Sequence, residues 1–162
     1  MKNYISSLHS TLEVLNDEWG GDITWIKPIP KKELENFEFL INWKFPEIFR
    51  YFYTQEANGI IIDNKRIYSV HDKEQKKTWV DNLVRVNNPN TSPWFKSVPD
   101  IFNDYLIIGN DGGIVFCLSK KYDLPNPSIY ICTNTNSTNG VELRILYLDL
   151  EALILEMVKQ AF

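Results

Sequence analysis

The sequence predicts a single α+β domain, and three observations carry that reading. Apolar residues recur at helical spacing near both ends of the chain: Tyr4, Ile5, Leu8, Leu12, Leu15 and Trp19, and again Leu150, Leu153, Ile154, Met157 and Val158. Between them, four β-rich runs succeed one another, DYLIIG, GIVFCLS, SIYICT and VELRILYL, with turn residues at their junctions. No repeat or linker divides the 162 residues, so the expected domain runs from 1 to 162.

The first helix stops at Gly20-Gly21, and DITWIKPI after it is extended or irregular, punctuated by Pro28 and Pro30. Pro30 opens a second helix, PKKELENFEFLI, with Leu34, Phe37 and Ile41 on its apolar face and Glu33, Glu35 and Glu38 turned to water. Pro46 sits in the first turn of a third helix, where Phe45 can staple onto Phe49. Ile48, Phe49, Tyr51, Phe52 and Tyr53 make that helix apolar on most sides, and Asn58-Gly59 ends it. IIIDNKRIYSV reads as a β-hairpin with Asp63-Asn64 at its tip. A basic helix is expected from Asp72 to about Val86, packing Trp79, Val80, Leu83 and Val84 inward. NNPNTSPWFKSVPD comes next as a surface loop. Asp149 is the expected N-cap of the closing helix.

Two adjacent glycines in IIGNDGGIVFCLS raise the question of a phosphate cradle. Such a cradle needs a helix N-terminus after the glycines, whereas the run after Gly113 is β-rich and lacks the Lys-Ser/Thr pair. Asp111-Gly112 fits a two-residue type I′ turn instead. That turn would set Ile108 opposite Val115 and Leu106 opposite Cys117, and the hairpin would be covered on both faces.

The composition is 44% hydrophobic and the net charge −4, enough apolar material for a core and the wrong sign for a nucleic-acid binder. The charge is uneven: residues 1–60 carry six Lys/Arg against nine Asp/Glu, residues 61–96 seven against four, and residues 97–162 four against eight. The N-terminal segment lacks a signal-peptide h-region and no run reaches a membrane span, so a cytoplasmic protein with reduced Cys117 and Cys132 is expected. Eighteen Ile and sixteen Asn against three Ala suit an A/T-rich bacterial genome. His9 and His71 are the only histidines, and no His, Cys and carboxylate spacing suggests zinc. Cys117 lies mid-strand, as core thiols do, and Glu33, Glu47, Asp104 and Asp111 form no pair that spacing singles out. No enzyme activity and no cofactor are expected.

FPEIFRYFYTQEANG, with PKKELENFEFLINWKFP leading into it, resembles the Leu-Pro to Asn-Gly segment of the SUKH superfamily and the helix before it. DYLIIGNDGGIVFCLS is similar to that family's central hairpin, and LYLDLEALILEMV to its closing strand and helix. The likeness covers about residues 30–160; Phe45 replaces the usual Leu before Pro46, and the helix over 4–19 is a candidate elaboration. The resemblance implies a mixed or antiparallel sheet with helices packed on it and no catalytic residues. It also implies a protein partner. The family includes bacterial immunity proteins that neutralise cognate toxins, often nucleases or deaminases, and glucan-synthesis regulators of the Smi/Knr type. The first role is the leading expectation, with neither nucleic acid nor membrane as partner. A regulatory scaffold is the alternative, and a small ligand-binding module or enzyme the third reading. Turn and loop residues offer the contact points: Asp63, Trp94, Asp104, Asp111 and Asp123.

Overall fold

The computed structural model describes residues 3–70, 82–92, 101–121, 124–134, 141–147 and 149–162. The fold is α+β, built on a seven-stranded sheet whose strands lie side by side in chain order. They are β1 (Ile23–Trp25), β2 (Ile60–Ile62), β3 (Lys65–Ile67), β4 (Tyr105–Asp111), β5 (Ile114–Ser119), β6 (Ile129–Asn134) and β7 (Val141–Tyr147), every neighbouring pair antiparallel.

The first, second, third and closing helices form where the apolar spacing places them. α1 (Tyr4–Trp19) buries Leu8, Leu12 and Leu15. α2 (Lys31–Leu40) comes after Pro30, and α3 (Glu47–Tyr51) after Pro46, widening into a π-helical turn over Phe52–Glu56. α4 (Leu83–Val86) is a single turn, and α5 is described over Ile101–Asp104. α6 (Leu150–Ala161) buries all five residues of its expected face, and Asp149 caps it by accepting the Ala152 N–H at 2.9 Å. α6 packs against α1, β2 and β7. Ser7 and Thr11 of α1 donate hydroxyls to Glu151 Oε1 at 3.0 and 2.7 Å, and Trp19 stacks on Phe162.

Three expectations are corrected. The β4–β5 turn is Gly112-Gly113, not Asp111-Gly112, because Asp111 pairs with Ile114. Of the two glycines only Gly112 takes a positive φ, 56°, the pattern of a turn with Gly first rather than of type I′. A register shift between Ile107 and Gly109 then sets Leu106 opposite Leu118 and Ile107 opposite Cys117. The apolar runs 106–108 and 115–118 are buried throughout, as a centrally placed hairpin requires.

The second correction concerns the basic helix. Asn82 is extended, at φ −129° and ψ 168°, and its side chain accepts the Arg85 N–H at 2.9 Å, so a new helix starts at Leu83. No helix therefore runs unbroken to Val86, and Val84 is 36% exposed rather than packed inward; Trp79 and Val80 lie outside the described residues. Just beyond α4, the Asn87 amide bonds both backbone groups of Ile107 at 2.8 Å, continuing the sheet edge where β3 has ended. The third correction is Glu38, which is buried rather than turned to water.

The register sorts the turns onto two ends of the sheet. Ile62 opposes Lys65, Lys65 opposes Asp111 and Asp111 opposes Ile114, so the Asp63-Asn64 and Gly112-Gly113 turns share one end. At the other end Tyr105 opposes Ser119, where β4 enters and β5 leaves.

Candidate functional site: a groove beside the end of helix α2

A groove of about 740 Å³ opens at this second end, between α2 with the turn after it, Arg50 of α3 and the two lysines after β5. Its shape begins with how α2 stops. Asn42 takes a left-handed backbone, φ 50°, the Trp43 N–H bonds the Glu38 carbonyl at 3.1 Å, and the Asn42 N–H bonds the Phe39 carbonyl at 3.2 Å. This paired closure satisfies the last helix carbonyls and turns the chain sharply back. Phe39 and Leu40 are left on the outer side, 90% and 67% exposed.

Under the ridge lies a polar anchor. Glu38 is 5% exposed; its Oε1 accepts the Phe45 N–H at 2.9 Å, and both its oxygens accept from Arg50 Nη1 at 3.2 and 2.9 Å. Arg50 also lies 3.6 Å from Glu35, so it ties α2 to α3. The position one residue past Phe37 puts Glu38 on the flank of the apolar face, and these bonds make its burial tolerable. Phe45, the residue that replaces Leu before Pro46, is 3% exposed and packs against Phe37, Trp43, Phe49 and Tyr53 with ring centroids 5.4–6.2 Å apart. The expected Phe45–Phe49 staple is among these contacts.

The opposite wall is cationic. Lys120 is half-buried, and burial pushes its ammonium below its usual pKa while Asp104 pulls it back up. Lys121 Nζ lies 2.8 Å from Asp104 Oδ2, and the Lys120 N–H bonds the Asp104 carbonyl at 2.7 Å. Lys44 closes the near side. A smaller concavity of about 280 Å³ lies beyond Leu40, lined by Phe37, Ile41, Val84 and Leu106, and it shares Lys120 with the groove. Among the described residues no three His, Cys, Asp or Glu side chains gather as metal ligands, and no helix is long and apolar enough to cross a membrane.

The model of the SMI1 / KNR4 family (SUKH-1) matches residues 28–156, most of the chain. The chain belongs to this family. No curated protein matches it. The match takes in α2, α3 and both walls of the groove, whereas α1 lies before it.

Three of the five residues chosen from the sequence are described, and of these three only Asp104 meets this groove, through Lys121. It is the last residue of α5 rather than a strand start. Asp63, in the β2–β3 turn at φ 54°, and Asp111, at the end of β4, sit together at the opposite end of the sheet. Trp94 and Asp123 lie outside the described residues. Phe39, Glu38, Arg50, Lys44, Lys120 and Lys121 were missed. One signal for Phe39 and Leu40 was present, since both fall off the Leu34, Phe37 and Ile41 stripe of α2.

Proposed function

We propose that this SUKH-1 chain is a non-catalytic protein-binding module and that it serves as a bacterial immunity protein, covering a cognate toxin in the cytoplasm. The single observation that carries the binding reading is the Phe39–Leu40 ridge. Two neighbouring apolar side chains stand largely in water, at a helix end, between two concavities and beside a charged rim. Interfaces place aromatic anchors inside a polar surround in this way, and a few such anchors supply most of the affinity. Asp104 belongs to the rim of this face, and Asp63 with Asp111 offers a separate contact point at the far end of the sheet. The immunity role is supported by the family and by the Ile- and Asn-rich composition, which suits an A/T-rich bacterial genome.

The test is co-purification with the product of the neighbouring gene, together with deletion of this chain's gene. A stable complex, toxin sensitivity on deletion, and loss of the complex in Phe39→Ser are expected. Phe39 is 90% exposed, so that variant should melt within about 0.5 kcal/mol of wild type. Deletion strains that stay resistant would remove the immunity role, and a complex indifferent to Phe39→Ser would move the binding face elsewhere.

A further inference from the structure

We infer that the segment docking in the α2 groove is both acidic and apolar: a carboxylate-bearing stretch of a protein partner, seated on Lys44, Lys120 and Lys121, with an aliphatic or aromatic side chain against Phe39 and Leu40. This rests on the protein-binding reading above and names the chemistry of its partner.

The first argument is charge. The chain as a whole is −4, yet the groove wall carries Lys44, Arg50, Lys120 and Lys121 against Glu35 and Glu38. The two carboxylates are already engaged: Glu38 by the Phe45 N–H and Arg50, and Glu35 by Arg50 at 3.6 Å and Lys31 at 3.7 Å. Lys44 is exposed and has no ion-pair partner among the described residues. Asp104 engages Lys121, but both side chains are about half exposed, at 46% and 56%, so that pair is weakly held and open to a competing carboxylate. Local charge therefore runs against the sign of the whole molecule, which selects for an anionic visitor.

The second argument is desolvation. Lys120 is half-buried and loses hydration for it. Lys120 already feels Asp104, and a carboxylate that joins it at the open side of the groove is attracted at lower dielectric than in bulk water.

The third argument separates a protein segment from a nucleic acid. Phe39 and Leu40 stand next to the cations, and the 280 Å³ concavity beyond Leu40 adds Phe37, Ile41, Val84 and Leu106, with Asn87 and Asn88 at its polar side, as a place for an apolar side chain. A phosphate backbone would be indifferent to Leu40 and would run past the Glu35 carboxylate. An acidic peptide with one large apolar residue uses both features.

Panning a phage-displayed random peptide library on the immobilised full chain tests this. Enrichment of Asp and Glu beside Leu, Phe or Trp is expected. A synthetic copy of an enriched peptide should bind at least about tenfold more weakly to Lys44→Glu, Lys120→Gln and Phe39→Ser, and should weaken as salt rises. Lys44 and Phe39 are exposed, so their variants stay folded if Lys120→Gln does not. Enrichment of basic or uncharged peptides, no enrichment, tighter binding of a single-stranded oligonucleotide at the groove, or affinity unchanged in Lys44→Glu would each overturn the inference. A neighbouring-gene product that needs Phe39 but ignores Lys44→Glu and Lys120→Gln would leave protein binding standing and remove the acidic segment alone.

Discussion

Arg50 grips Glu38 with one nitrogen, Nη1, which lies 2.9 Å from one carboxylate oxygen and 3.2 Å from the other. The pair joins α2 to α3 directly beneath the exposed Phe39, so the shape of the groove depends on it. Glu38→Ala removes acceptors from both Arg50 and the Phe45 N–H. Because Arg50 keeps 28% exposure and a second carboxylate at Glu35, the cost should sit below that of a fully buried pair, at about 2–3 kcal/mol. Glu38→Gln keeps an acceptor for the Phe45 N–H and should cost less. Urea midpoints at constant slope measure both, and a Glu38→Ala protein as stable as wild type would show that the anchor holds nothing.

Glycines near the central turn should respond very differently to the same added methyl group. A Cβ on Gly109 would lie 2.2 Å from the Arg66 carbonyl oxygen of the neighbouring strand, and one on Gly113 would meet open space. Gly109→Ala should therefore destabilise by about 3 kcal/mol, the upper range for overpacking, and Gly113→Ala by a few tenths. Gly112→Val sits between, since its space is open but φ is +56°, which a β-branched residue resists. Thermal melts of the three variants should fall in that order, and equal melting of Gly109→Ala and Gly113→Ala would contradict the observed β3–β4 spacing.

How much could be read from the sequence depends on which forces act locally. Helical spacing located α1, α2 and α6, and the Asp149 cap formed as expected, because each depends on residues within a turn or two of one another. The β2–β3 turn was legible for the same reason. The β4–β5 register was not, because the choice between Asp111-Gly112 and Gly112-Gly113 is made by partners outside the hairpin. Lys65 pairs with Asp111, Arg66 approaches Gly109, and Asn87 bonds Ile107 from twenty residues away. The groove was the least legible part. Glu38 looks like an ordinary solvated glutamate until Arg50 and the Phe45 amide are brought to it, and Lys120 and Lys121 look like loop lysines until α2 folds opposite them.

Histidine 9 should make one attachment of α1 pH-dependent. Its Nδ1 lies 2.8 Å from Glu56 Oε1 and its Nε2 3.4 Å from Glu13, and Tyr51 shares the same Glu56 oxygen at 2.5 Å. The hydrogen bond to Glu56, then its charge, raise the His9 pKa above the ordinary 6.5. A folded value above the unfolded one means that this attachment contributes fully below the unfolded pKa and is lost as pH rises through the folded one. NMR titration should therefore place the His9 midpoint above 6.5 in wild type and lower it in Glu56→Gln. The stability gap between the two proteins should shrink across the same interval. A wild-type midpoint at or below 6.5, or one unmoved by Glu56→Gln, would detach the histidine from this pair.

The two cysteines should be silent in the folded protein and both countable in the unfolded one. Cys117 on β5 and Cys132 on β6 are buried and free, and they lie diagonally on one side of the sheet, since Val115 opposes Cys132 and Cys117 opposes Tyr130. Burial raises both thiols: Cys132 is pushed up to about 11, and Cys117, which also feels Cys132, stands well above its ordinary value. Only the thiolate attacks an alkylating agent, so at neutral pH neither sulfur offers a reactive fraction or a path to reagent. Native protein mixed with iodoacetamide should stay unmodified over a period in which guanidinium-unfolded protein takes up label at both sites. Protein alkylated only after unfolding without reductant should still count two thiols. Fast labelling of the native state would mean that β5 and β6 open readily, and a count of zero after unfolding would mean that the pair had oxidised, against the free thiols of the fold.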